Sequence, residues 1–79
     1  MTVFDVYSRR GCHLCELLVE SLLEVLAGCA EVRIHDIDAD PELRREYDTR
    51  VPVVKLGDKF VCEFRLDKGA VRSALAEKA

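Results

Sequence analysis

The chain has 79 residues, with 12 lysines and arginines set against 15 aspartates and glutamates. A chain of this size buries only roughly 60% of the surface that its unfolded form exposes, which leaves room for one domain, spanning 1–79, and for one site. Its acidity is slight and both signs are mixed along the chain, so neither nucleic acid nor an anionic membrane is expected as a partner.

Met1 leads into Thr2-Val3-Phe4-Asp5 without a basic segment followed by a sustained apolar one, and no later run is long enough to span a membrane. A cytoplasmic location is the expectation. Val3 to Tyr7 reads as a first strand and Leu14 to Leu26 as a helix. On that helix Glu16, Glu20 and Glu24 form a solvated stripe. Leu14, Leu18, Leu22 and Val25, with their leucine and valine neighbours, form an apolar face broad enough to be buried against a sheet. Gly28 ends the helix, and Val32, Ile34 and Ile37 alternate with charged residues as a second strand, which a right-handed crossover would set parallel to the first. Asp40-Pro41-Glu42 supplies an N-cap, a proline at the first helical position and an acid in the first turn of a short helix. That helix places Leu43 and Tyr47 on one face and ends near Asp48.

Val53 to Leu56 and Lys59 to Phe64 flank Gly57-Asp58, with glycine first, as a type II′ hairpin turn requires. These two strands are expected to be antiparallel. Asp67 caps a last helix, with Leu66 and Val71 as a hydrophobic staple and Leu75 also facing the core. The order β-α-β-α-β-β-α predicts an α/β fold with a mixed four-stranded sheet and helices on both faces.

Cys12-His13-Leu14-Cys15 lies between the first strand and the first helix. A cysteine at a helix start sits beside unpaired backbone N–H groups and the positive end of the dipole, which favours the thiolate, the attacking species in disulfide exchange. A second cysteine one turn along can resolve the mixed disulfide within the same molecule. Four cysteines also admit other readings. A disulfide framework needs an export signal, and a zinc or iron–sulfur site would require Cys29, His35 or Cys62 to complete the ligands, with no second close pair in the chain. Cys29, just past the helix end, and Cys62, alternating with Phe60 and Phe64 on one strand face, read as small packing residues. Asp36, Asp38 and Asp40 read as turn and cap residues, because a calcium loop would need glycine where Pro41 stands and glutamate where Tyr47 stands.

The element order and the cysteine pair resemble the thioredoxin fold. Three segments, Tyr7 to Cys15, Asp36 to Leu43 and Arg50-Val51-Pro52-Val53-Val54, resemble a small glutaredoxin-like family within the thioredoxin superfamily. The resemblance implies a dithiol–disulfide oxidoreductase that uses Cys12 and Cys15, with a cis Val51-Pro52 bond beside the thiols. In that reading the proline holds Val51 extended, so that its backbone pairs with an extended substrate. Arg9 stands where similar glutaredoxins place a cation for a glutathione carboxylate, and Arg50 and Arg10 complete a basic rim. The implied substrates are disulfide-containing or glutathionylated proteins. The implied reductants are glutathione, as a co-substrate rather than a bound cofactor, or a flavin-dependent reductase, acting on a monomer with no metal. Glu63-Phe64-Arg65-Leu66-Asp67 replaces the Gly-Gly and following Asp with which many glutaredoxins approach glutathione, a departure that argues against glutathione specificity. The alternative is a non-enzymatic thioredoxin-like module, either a redox sensor or a metal-binding protein.

Overall fold

A four-stranded sheet in the order β2-β1-β3-β4 organises the computed structural model, which describes residues 2–78. The elements in chain order are β1 (Val3–Ser8), α1 (His13–Leu26), β2 (Glu31–Asp36), a 3₁₀ turn (Ile37–Ala39), α2 (Pro41–Tyr47), β3 (Val53–Leu56), β4 (Lys59–Glu63) and α3 (Lys68–Lys78). β1 runs parallel to β2, pairing Phe4 with Val32 and Val6 with Ile34, and antiparallel to β3, pairing Val6 with Val54 and Tyr7 with Val53. β3 and β4 form the expected antiparallel hairpin. Gly57 turns it with φ 62° while Asp58 stays at negative φ, the pattern of a type II′ turn.

The alternation along β1 separates two cores. Phe4 and Val6 point to the side covered by α1 and α3, where Leu18, Leu22 and Leu26 meet Val54, Leu56, Val61, Cys62, Val71 and Ala74. Tyr7 points to the other side, where it joins Ile37, Leu43, Tyr47, Val51 and Val53 under α2. Asp40 caps α2 by accepting from the Glu42 N–H at 2.9 Å, and Asp67 caps α3 through the Ala70 N–H at 3.0 Å.

Four expectations are corrected. The buried stripe of α1 is narrower than its composition suggests: Cys15, Leu18, Leu22 and Leu26 are buried, whereas Leu14, Leu17 and Leu23 face solvent. Ile34 is also exposed, because β2 is an edge strand lying beyond the reach of α1 at that point. An irregularity between Val54 and Lys55 pairs Cys62 with Val54 but Phe60 with Lys55, so Cys62 and Phe60 occupy opposite faces. Cys29 is exposed beyond the helix end rather than packed.

Candidate active site

The loop between β1 and α1 is built to present a sulfur at a helix start. The Cys12 N–H donates to the Arg9 carbonyl at 3.3 Å, and Gly11 supplies φ 73° at the third position, closing a type II turn. Cys12 is thereby the N-cap of α1, with extended backbone, and its Sγ accepts a hydrogen bond from the Cys15 N–H at 3.1 Å. A thiolate at that position would take the same bond in charge-assisted form, together with the dipole of α1. The two cysteines are joined as a disulfide with Cα atoms 5.2 Å apart. They differ in access: Cys12 is partly exposed and Cys15 is 3% exposed. A groove lined by Arg10, Gly11, Cys12, Cys15, Val19 and Ile34 opens beside the disulfide toward β2.

Arg9, the cation expected to meet a substrate carboxylate, is paired with carboxylates of its own chain. Its guanidinium forms a two-pronged pair with Asp38, Nε to Oδ2 at 3.0 Å and Nη2 to Oδ1 at 3.1 Å, and Nη2 also meets Asp48 Oδ1 at 2.5 Å. These bonds hold the Asp38 carboxyl below its ordinary value and the Arg9 guanidinium above its own. Arg9 therefore ties the cysteine loop to the 3₁₀ turn and α2, and an incoming carboxylate would have to displace two aspartates. Arg50 donates from Nε to Glu63 Oε2 at 3.1 Å and lies over the Tyr47 ring, 5.4 Å from its centroid. Arg10 is exposed at the mouth of the groove beside Cys12.

The Val51–Pro52 bond is cis, and Pro52 is buried. The Pro52 carbonyl accepts from the Phe64 N–H at 2.8 Å, and the Arg65 N–H reaches back to the Glu63 carbonyl at 2.8 Å. The second bond closes a three-residue γ-turn around Phe64, whose φ of 65° ends β4 one residue earlier than the alternation predicts. A left-handed aromatic residue costs of order 1–3 kcal/mol. Phe64 borders a second groove, of about 300 Å³, with Leu14, Leu17, Arg65 and Leu66. Sequence reasoning missed it, because Phe64 continues the alternation of Phe60 and Cys62 and reads as the last residue of the strand.

Asp5 lies on the face away from the cysteines, as its register implies, and bonds to His35 Nε2 at 2.8 Å, while His35 stacks on Tyr7. His13 is exposed and faces Glu16. Among the described residues no three His, Cys, Asp or Glu side chains converge to hold a metal ion, and no helix is long and apolar enough to cross a membrane.

Residues 5–76 match the glutaredoxin-like domain (DUF836). The chain belongs to that family. Among solved structures, an NMR structure of a protein from Nitrosomonas europaea is 34% identical to this glutaredoxin-like chain. It superposes with a TM-score of 0.83, covering 92% of this chain and 89% of the other. The X-ray structure of a structural-genomics target from X. campestris is 27% identical with a TM-score of 0.71, covering 94% and 96% of the two chains. The germline-specific thioredoxin Deadhead of Drosophila melanogaster, at 22% identity and a TM-score of 0.53 over 99% of this chain and 81% of its own, shares the fold. No protein of curated function matches in sequence.

Proposed function

We propose that this glutaredoxin-like domain is a dithiol–disulfide oxidoreductase of a reducing compartment, the cytoplasm, acting on protein disulfides or glutathione mixed disulfides. The observation that supports this reading is the inequality of its two bonded sulfurs. Cys12 is the partly exposed helix cap with a backbone N–H aimed at its Sγ, and Cys15 is shut in one turn behind it.

In the reduced protein the Cys12 thiolate attacks one sulfur of a substrate disulfide. A Cys12–substrate disulfide forms, and the other substrate sulfur leaves as a thiolate that takes up a proton. Cys15 then loses its proton and attacks the Cys12 sulfur, which releases the second substrate thiolate and leaves the Cys12–Cys15 disulfide. Two electrons pass from the dithiol to the substrate. Two molecules of glutathione, or a flavin-dependent reductase, restore the dithiol.

The test is a trap. Cys15→Ser retains the attacking sulfur and removes the resolving one, so it accumulates Cys12 mixed disulfides that mass spectrometry reads directly, while Cys12→Ser forms none. Mixed disulfides in Cys12→Ser, or none in Cys15→Ser, would remove the basis of the proposal.

A further inference from the structure

The groove between α1 and the turn after β4 is bordered by three large apolar side chains that the fold leaves outside its core: Leu14 at 50%, Leu17 at 46% and Phe64 at 45% exposure. Two observations separate this patch from scattered surface leucines. Leu14 stands between the two bonded cysteines in the chain, so one side chain of the patch belongs to the disulfide-bonded segment itself. Phe64 is held at φ 65° by hydrogen bonds to Pro52 and around its own γ-turn, a conformation in which a phenylalanine is strained and a glycine would not be. A fold that keeps an aromatic ring there, in a turn that suits glycine, keeps it for what the ring touches.

We infer that this groove receives an apolar side chain next to the target cysteine of a polypeptide substrate, with Phe64 as the specificity-determining residue. The inference rests on the oxidoreductase reading above, which also supplies the occupant. A substrate sulfur bonded to Cys12 brings the neighbouring residues of its own chain, with Cα atoms about 3.8 Å from that of the bonded cysteine, over the surface bordering the cysteine turn. On the α1 side that border is Leu14, followed by Leu17 and Phe64. A leucine, valine or phenylalanine flanking the substrate cysteine covers them and leaves water. Glutathione, whose cysteine is flanked by glycine and a γ-glutamyl group, has no side chain to place there. The substrate class is therefore a protein disulfide in an apolar sequence context.

Two disulfide-linked model peptides, identical except for leucine or serine beside the cysteine, test this with the reduced full chain and hydroxyethyl disulfide as a small reference substrate. Kcat/KM is expected to be about tenfold higher for the leucine peptide, the factor that half-burial of one leucine side chain supplies. Phe64→Gly should collapse that ratio toward one. Glycine adopts the same φ without strain, so the turn is retained while the ring is lost, and a ratio of two substrates on one variant is insensitive to the fraction folded. Equal rates for the two peptides, with hydroxyethyl disulfide still reduced, would overturn the groove alone. Exchange with none of the three would overturn the oxidoreductase reading and the groove with it. Sedimentation of the parent as a dimer that Leu17→Ser dissociates, without peptide discrimination, would assign the patch to a second copy of the chain and overturn the proposal equally.

Discussion

Arg9 and Asp38 meet through two parallel hydrogen bonds of 3.0 and 3.1 Å, joining the turn that presents Cys12 to the segment that starts α2. Because the pair holds the Asp38 carboxyl below its ordinary value, its contribution to stability follows a definite sign. A depressed folded-state pKa gives stability that is fully present above the unfolded value, about 3.9, and is lost as pH falls through the folded one. Thermal unfolding of the parent and of Asp38→Asn should therefore differ most near neutrality, the parent melting higher, and converge as pH drops below about 4. Asp38 is exposed and Arg9 partly so, and the difference should therefore shrink in high salt. A gap independent of pH would show that the charge of Asp38 is not what stabilises the parent.

The inequality of the two bonded sulfurs predicts their ionisation. In the reduced protein Cys12 should titrate below the free value of about 8.5, because helix N–H groups and the Cys15 amide favour its thiolate. Thiolate absorbance of Cys15→Ser should show that low transition. Cys12→Ser, which leaves only the sulfur of the 3% exposed Cys15 in the pair, should lack it. A low transition that survives in Cys12→Ser would exchange the roles.

Cys29 and Cys62 should behave as opposites toward alkylating agents. Cys29 is exposed, while burial raises the Cys62 thiol pKa. Iodoacetamide added to the folded, oxidised protein should therefore label Cys29 quickly and Cys62 only on unfolding. Replacing both by alanine should retain turnover, with a stability loss of about 1 kcal/mol arising at Cys62, where the removed sulfur leaves a small void among Val54 and its neighbours. A folded double variant without turnover would show that one of them takes part in the chemistry.

The elements were legible in the sequence because each is bounded by local chemistry. Asp40-Pro41, Gly57-Asp58 and Asp67 mark starts and turns whose hydrogen bonds lie within a few residues. The cysteine pair was legible for the same reason, since its setting between a strand and a helix is local. Partnerships over long separations were not legible. Arg9 reads in sequence as a free cation near a thiol, and only the fold brings Asp38 and Asp48 to it. The exposure of Leu14 and Leu17 depends on which stripe of α1 the fold buries, and the bulge that separates Phe60 from Cys62 leaves no mark in an alternating pattern.

Electron supply divides the two arginines that flank the site segments. Arg9 is already saturated by two carboxylates, whereas Arg50 has one carboxylate partner, Glu63, and packs on Tyr47 with its side chain 39% exposed. Arg50 is thus the better placed of the two to accept a glutathione carboxylate. With a glutathionylated substrate, Arg50→Ala should lose about 1–3 kcal/mol of transition-state stabilisation, the range for hydrogen bonds to a charged group. Its rate on hydroxyethyl disulfide should change much less. Glu63→Gln, which removes the competing charge and leaves Arg50 in place, should act in the opposite direction and lower KM for the glutathionylated substrate. The Arg9→Ala variant should lose thermal stability and keep the parent's ratio of rates on the two substrates. Equal losses on both substrates in Arg50→Ala would place its effect on the cysteine pair rather than on the tripeptide. A parent protein inactive toward glutathione mixed disulfides would leave a flavin-dependent reductase or a dedicated protein partner as the source of electrons.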